Sequence, residues 1–309
     1  MKNVPQKHHY LPEFYLSRWK GAGGQLCEFS CPYNQIKSKR VHPAQTGYVL
    51  RLYETRGLPL EQAQQVEQLF MQPVDTLAAT ALAMLENDDG RIHREPNPRS
   101  AWSCFIMSLL MRMPEDLAAP NIGLAEEMER RLITQYAIKK GPNDPSILDA
   151  YLTSDPNYFE RQAMSLIPQL IDHQNFGQLL NNMRWFVRRI PCGAGEFLTS
   201  DRPIVMSWTL TEPYAYLFLP VGPKAMFVAV NDVETQRIVE KRDATEQVEA
   251  VNRFVAGRAV KFVYARDDRP LNYVRQHMGT KPRRTLIERL VVHRREIATV
   301  SGSETVDKQ

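Results

Sequence analysis

Five short runs rich in β-formers crowd the second half of the chain: "MRWFVRRI", "GEFLTS", "PIVMSW", "AYLFLPV" and "AMFVAV". Gly, Pro or Asp separates them, the pattern of strands joined by turns. The middle third has a different period. From Leu60 onward, Val66, Leu69, Phe70, Val74, Leu77, Ala81 and Leu85 recur at helical spacing on one face, and Pro73 bends this helix or starts a new one. Asn97-Pro98 opens a second helix running to Met113, Pro114 with Glu115 and Asp116 begins a third, and another spans about Asp155 to His173. Helices and strands are segregated and do not alternate, which predicts an α+β fold.

Ahead of the helical block, a turn at Gly21 to Gly24 is followed by "QLCEFS", "QIKSKRV" and "GYVLRLYE", read as a small β-meander ending near Tyr53. The expected organisation is one α+β domain over residues 1–300. It comprises an N-terminal anchor and β-meander (1–55), a central helical block (60–175), and a mainly antiparallel sheet with a helix at Ala244 to Ala256 (176–300). The polar residues Ser301 to Gln309 have the composition of a disordered tail.

A chain of 309 residues with 43% hydrophobic and 24% charged residues has enough apolar material for a substantial core. The longest apolar stretch, Trp102 to Met113, is broken by Ser103, Cys104, Ser108 and Arg112. It falls short of the ~20 residues that cross a bilayer. It reads as a buried helix, with no membrane partner expected. The first residues lack the features of a signal peptide, so the expected location is cytoplasmic. Cys27, Cys31, Cys104 and Cys192 are too few for a disulfide framework. Cys27 and Cys31 with His42 and an N-terminal histidine have the donor types of a zinc site, but no second tight ligand pair follows, and "LCEFSCP" reads as a strand ending in a turn. No metal ligand is assigned; the cofactor is left unknown, with a divalent metal admitted.

The net charge of +4 does not mark a nucleic-acid binder. Its distribution is more informative. Between Arg275 and Arg295 lie Lys281, Arg283, Arg284, Arg289 and Arg294 against Glu288 alone. This segment is either a footprint for nucleic acid or a phosphate-bearing substrate, or the solvated face of a C-terminal helix.

Two stretches carry chemistry. In "PQKHHYLPEFYLSRW", Lys7, His8, His9 and Tyr10 precede Phe14, Tyr15, Leu16 and Trp19, which look built for burial. Adjacent histidines diverge on a strand or a helix, so only irregular backbone between Pro5 and Pro12 would let both converge. One could serve as a general base or phosphate ligand while the other anchors the segment; alternatively, both are structural. In "EFLTSDRPIVMS", a strand delivers Thr199, Ser200 and Asp201 to a turn enforced by Pro203. That group is either a site or a turn in which Ser200 and Asp201 cap backbone amides. Arg112, ending the apolar helix, either pairs with Asp201, binds an anion, or stabilises the helix dipole.

The stretch "HHYLPEFYLSRW" resembles the N-terminal signature of the domain of unknown function 4238 family, found mainly in bacteria. Later blocks agree in order: the Pro43, Gly47 and Tyr53 region, Arg112-Met-Pro114, Trp185 before "FLTSDRP", then "FLPVGP" and "VNRFVAGRAVKFVYA". The resemblance runs from His8 to about Asp267 and implies that these distant blocks belong together. If they meet, histidine, carboxylate, hydroxyls and arginine suit hydrolysis of a phosphoester. The expected catalytic residues are then His8, His9, Thr199, Ser200 and Asp201, with Tyr10 and Arg112 binding substrate, possible enzyme classes being phosphodiester hydrolase or nuclease. The alternative is a non-enzymatic binding or interaction module in which the His-His-Tyr segment is a structural clasp. No P-loop, Rossmann fingerprint, nucleophile elbow, H-E-x-x-H or deaminase motif is present.

Overall fold

The structure, a computed structural model, describes residues 6–115, 117, 153–155 and 157–281. It is α+β, with helices in the centre of the chain and antiparallel sheet towards the C-terminus.

The N-terminal strands are divided between two sheets and do not form a single meander. β1 (Lys7–His9) pairs with β4 (Tyr48–Leu50), whereas β2 (Leu26–Ser30) and β3 (Lys37–Val41) form a hairpin elsewhere. That hairpin joins β6 (Thr199–Ser200) and β10 (Phe262–Ala265) in the order β3-β2-β10-β6. The chain leaves β3 through a tight turn at Pro43–Gln45, and Gly47, at φ 64, reverses it. A Cβ at Gly47 would sit 3.0 Å from Leu11 Cβ and 3.1 Å from its carbonyl oxygen, so glycine alone lets the two segments touch. The Gly47 carbonyl accepts the amides of Tyr10 and Leu11.

A second sheet has the order β5-β9-β8-β7, from β5 (Arg184–Arg189), β7 (Val205–Met206), β8 (Tyr216–Gly222) and β9 (Ala225–Val230). Five of the six residues of β9 are buried, which explains a continuous apolar run with no alternation. Phe227 and Ala229 belong to the main core, while Met226, Val228 and Val230 pack with Val248, Val251 and Val255 of a helix on the other face. That helix spans Ala244–Arg258, and Asp243 caps it by accepting the amides of Thr245 and Glu246.

The helical block begins with α1 (Glu13–Leu16), α2 (Leu60–Ala63) and a π-helical turn at Val66–Met71, which runs into α3 (Gln72–Glu86). The buried stripe here differs from the expected one. Leu69 and Leu77 are 71% and 58% exposed, while Glu67, Met71, Val74, Ala78, Ala81, Leu82 and Leu85 face inward. The π turn accommodates an extra residue and shifts the phase of the upstream stripe. Further along, α3 packs on α5 (Pro96–Met111) through small residues, so Ala78 is enclosed and the bulkier Leu77 is left outside. After α4 (Arg91–Arg94) and α5, the block continues as α6 (Tyr158–Ile171) and α7 (Gln174–Asn182). The helical block thus runs a few residues past its expected end at 175, and β5 falls on the expected strand "MRWFVRRI". Towards the C-terminus, α8 (Val233–Lys241) precedes the Ala244–Arg258 helix, α9, and α10 (Leu271–His277) follows β10.

One hydrophobic cluster ties these parts together: Tyr10, Tyr15 and Trp19 from the N-terminus, Trp102 and Phe105 from α5, and Phe227 and Tyr264 from the sheets. Phe227 meets Trp102 and Trp185 edge-on at 5.5 and 5.2 Å. Each such buried aromatic contributes on the order of 2–3 kcal/mol by burial alone. Among the described residues no helix is long and apolar enough to cross a membrane.

Candidate functional site

β1 is regular strand, so the two histidines point to opposite sides and do not converge. His8 is fully buried. Its Nδ1 accepts the Tyr53 amide at 2.9 Å, which leaves the Nε2 proton to be donated to Gln64 Oε1, also at 2.9 Å. Gln64 passes its own amide proton to Glu54 Oε2 at 2.7 Å. The His8 ring stacks on Tyr53, 5.6 Å between centroids and 12° from parallel. This is a neutral histidine fixed in one tautomer.

His9 is half-buried and leans on Tyr48, with centroids 5.5 Å apart. Its Nε2 is buried with no hydrogen-bond partner among the described residues. Burial holds its pKa below the usual histidine value; Lys7 and Arg112 add to that, while Glu13 and a backbone hydrogen bond at Ala44 oppose it. Tyr10 is buried, and its phenol is raised well above the ordinary tyrosine range by burial first, then by the charges of Asp201, Glu115 and Glu28.

Beyond Tyr53 the polar chain continues to Arg112. The Tyr53 hydroxyl donates to the Arg112 carbonyl at 3.2 Å. The Arg112 guanidinium, fully buried, does not pair with Asp201. It holds Asp75 by two hydrogen bonds, 3.2 Å through Nη1 and 2.9 Å through Nη2, and donates to Ser108 Oγ at 2.5 Å. Asp75 is reachable because α3 and α5 lie side by side. Arg112 Nε finds no partner among the described residues.

Glu67 completes this cluster. It sits on the π turn, 7% exposed, and its Oε2 has no partner among the described residues. Burial pushes its carboxyl up to about 7 against the weaker opposing pull of a Gln72 hydrogen bond and of Arg112. Single π turns inside helices recur at functional sites, and a carboxyl with a pKa near neutrality is suited to proton transfer.

The Thr199, Ser200 and Asp201 turn is buried and engaged elsewhere. Thr199 Oγ1 is hydrogen-bonded to the Tyr15 hydroxyl. Ser200 Oγ donates to the Val255 carbonyl at 3.0 Å and accepts the Arg202 amide at 3.0 Å. Asp201 Oδ1 accepts the Val260 amide at 2.9 Å, and Oδ2 accepts those of Lys261 and Phe262 at 2.5 and 3.1 Å. The carboxylate thus caps the backbone entering β10. Its pKa rises to about 6 because burial outweighs the three amides that pull it down. Among the described residues, the ring hydrogen bonds of His8 run to Tyr53 and Gln64 and not to Thr199, Ser200 or Asp201. The two motifs are joined through Tyr15 and, electrostatically, through Tyr10.

Tyr15 also donates to the Pro220 carbonyl at 2.8 Å, and Trp19 Nε1 donates to the Phe197 carbonyl at 2.8 Å. The aromatics after the histidines therefore anchor both sheets. A family model describing a protein of unknown function, DUF4238, matches residues 7–269, from the first histidine strand through β10. The chain belongs to the DUF4238 family. No curated protein and no solved structure matches it.

The polar residues that sequence reasoning passed over in this DUF4238 chain are Gln64, Glu67 and Asp75. The only available signal was Glu67 and Asp75 as carboxylates next to the apolar positions Val66 and Val74. Cys27 is buried in β2 and Cys31 is exposed just beyond it. Among the described residues, no group of three or more His, Cys, Asp or Glu side chains is placed to hold a metal ion. Of the basic segment, residues 282–295 lie outside the described residues.

Proposed function

We propose that the His-His-Tyr segment is a structural clasp and that the chain works as a non-enzymatic binding or interaction module in the cytoplasm. The observation that supports this reading is saturation: both ring nitrogens of His8 and both carboxylate oxygens of Asp201 already hold protein partners, and neither side chain is exposed. Groups so engaged and so buried are not presented to a substrate. The basic segment Arg275 to Arg295 supplies the partner in this reading, a nucleic acid or another phosphate-bearing molecule.

A second reading, hydrolysis of a phosphoester or nucleic-acid substrate, is favoured by a different observation. His9 Nε2 and Glu67 Oε2 are buried without partners among the described residues, and both groups are acid–base types with pKa values displaced by burial. The experiment that separates the two compares wild type, His8→Gln, His9→Gln and Asp201→Asn. Each is assayed on generic phosphodiester, phosphomonoester and nucleic-acid substrates with Mg²⁺, Mn²⁺ or Zn²⁺, alongside its melting temperature. The clasp predicts no turnover by wild type and a loss of ~1–3 kcal/mol in His8→Gln and Asp201→Asn. Wild-type turnover that falls by ~10²–10⁴-fold in His9→Gln, with melting unchanged, replaces it with the hydrolase.

A further inference from the structure

Apart from the histidine cluster, a cleft of about 520 Å³ opens where α7 lies against α5 and the end of α6. Its volume falls in the range of small-molecule sites. The floor is apolar, formed by Cys104, Met107 and Ile171, and methionine adapts its shape to what lies on it. Much of the wall is hydroxyl and carboxamide, and part of it is locked in place: Ser103 Oγ donates to Asn181 Oδ1 at 2.7 Å, and Asn181 Nδ2 donates to Ser100 Oγ at 3.1 Å. Gln174 and Gln178 extend this surface from α7.

Gly177 is the residue that gives the cleft a purpose. It lies inside α7, where glycine weakens a helix by roughly 1 kcal/mol relative to alanine. Neither of the usual reasons for a glycine applies. Its φ is not positive, and a Cβ built on it would meet nothing within 4 Å among the described residues. It lines the cleft, so the missing side chain leaves space facing the opening and nothing else.

We infer that this cleft is a binding site for a non-anionic, polyhydroxylated small molecule of monosaccharide or nucleoside size. The chemistry follows from the lining. Among the described residues no Lys or Arg lines the cleft, while Asp172 and His173 do; the Asp172 carboxylate disfavours an anion and can accept from ligand hydroxyls. Hydroxyl and carboxamide side chains both donate and accept, which matches ligand hydroxyls that do the same. The Met107 and Ile171 floor takes the C–H face of a ring. This inference does not depend on the clasp reading, since none of the clasp residues lines the cleft.

The test uses the full chain and a probe panel of monosaccharides, inositol and nucleosides, read by ligand-observed NMR with melting temperatures measured in parallel. Wild type should bind at least one probe saturably. Gly177→Leu places a side chain in the cleft from a position whose Cβ has room, and leucine is the better helix former, so it should melt no lower than wild type and bind that probe at least about tenfold more weakly, about 1.4 kcal/mol. Gln178→Leu, which removes a carboxamide from the wall of the cleft, should weaken binding in the same direction and serves if Gly177→Leu does not fold. No binding by wild type to any probe overturns the inference, and so does affinity unchanged in a folded Gly177→Leu or Gln178→Leu.

Discussion

The Tyr15 hydroxyl lies 2.7 Å from the Thr199 hydroxyl, 184 residues further along the chain. One phenol therefore joins the N-terminal helical turn to β6, and through its bond to Pro220 it also reaches β8. Both partners are sealed from solvent, so the bond cannot be replaced by water. Tyr15→Phe should keep the fold and lower stability by ~1–3 kcal/mol, because it leaves the Thr199 hydroxyl and the Pro220 carbonyl short of a buried partner. Urea unfolding of wild type and variant measures this; equal midpoints would show that the bond contributes nothing.

Trp19 fills a fully buried position and spends its only donor on Phe197. Trp19→Ala removes a large aromatic and orphans that carbonyl, at an expected cost of ~3–5 kcal/mol. An unchanged melting temperature would show that the segment is not an anchor.

Arg112 and Asp75 are an ion pair in which the guanidinium is wholly inaccessible and the carboxylate is 23% exposed. Asp75→Ala leaves that cation buried without its carboxylate and should cost ~3–5 kcal/mol. Adding Arg112→Met to the same chain should recover part of the loss, since an apolar side chain requires no counter-charge. A double variant no more stable than Asp75→Ala would contradict this account.

Glu67 has a distinct pH signature. Burial raises its carboxyl from the ordinary 4.5 to about 7. The native state then binds this proton more tightly than the unfolded chain does. The stability this group supplies is present in full below about pH 4.5 and is lost as pH rises through about 7, a swing of roughly 3 kcal/mol. Glu67→Gln should flatten that part of the stability profile and be the more stable protein above neutrality. Chemical denaturation at a series of pH values gives the comparison, and parallel profiles would refute it.

If the basic segment binds nucleic acid, affinity should fall steeply with salt, and Arg283→Ala with Arg284→Ala should flatten the slope of log affinity against log salt by about one to two. Undetectable binding at low salt leaves the segment as a solvated face.

The sequence by itself determined the fold class, the helical block followed by antiparallel sheet, and the role of Phe14 to Trp19 as an anchor, because local period and residue type carry that information. It also marked His8, His9 and the Thr199–Asp201 turn as unusual. What each of those groups does was decided only in three dimensions. Asp201 spends its carboxylate on three amides of residues 260–262, and Arg112 chooses Asp75 on a neighbouring helix. Hydrogen-bond partners so far apart in sequence leave no periodic trace. The π turn at Val66–Met71 is equally silent: one extra residue per turn rotates Glu67 inward and Leu69 outward while the composition stays that of an ordinary helix.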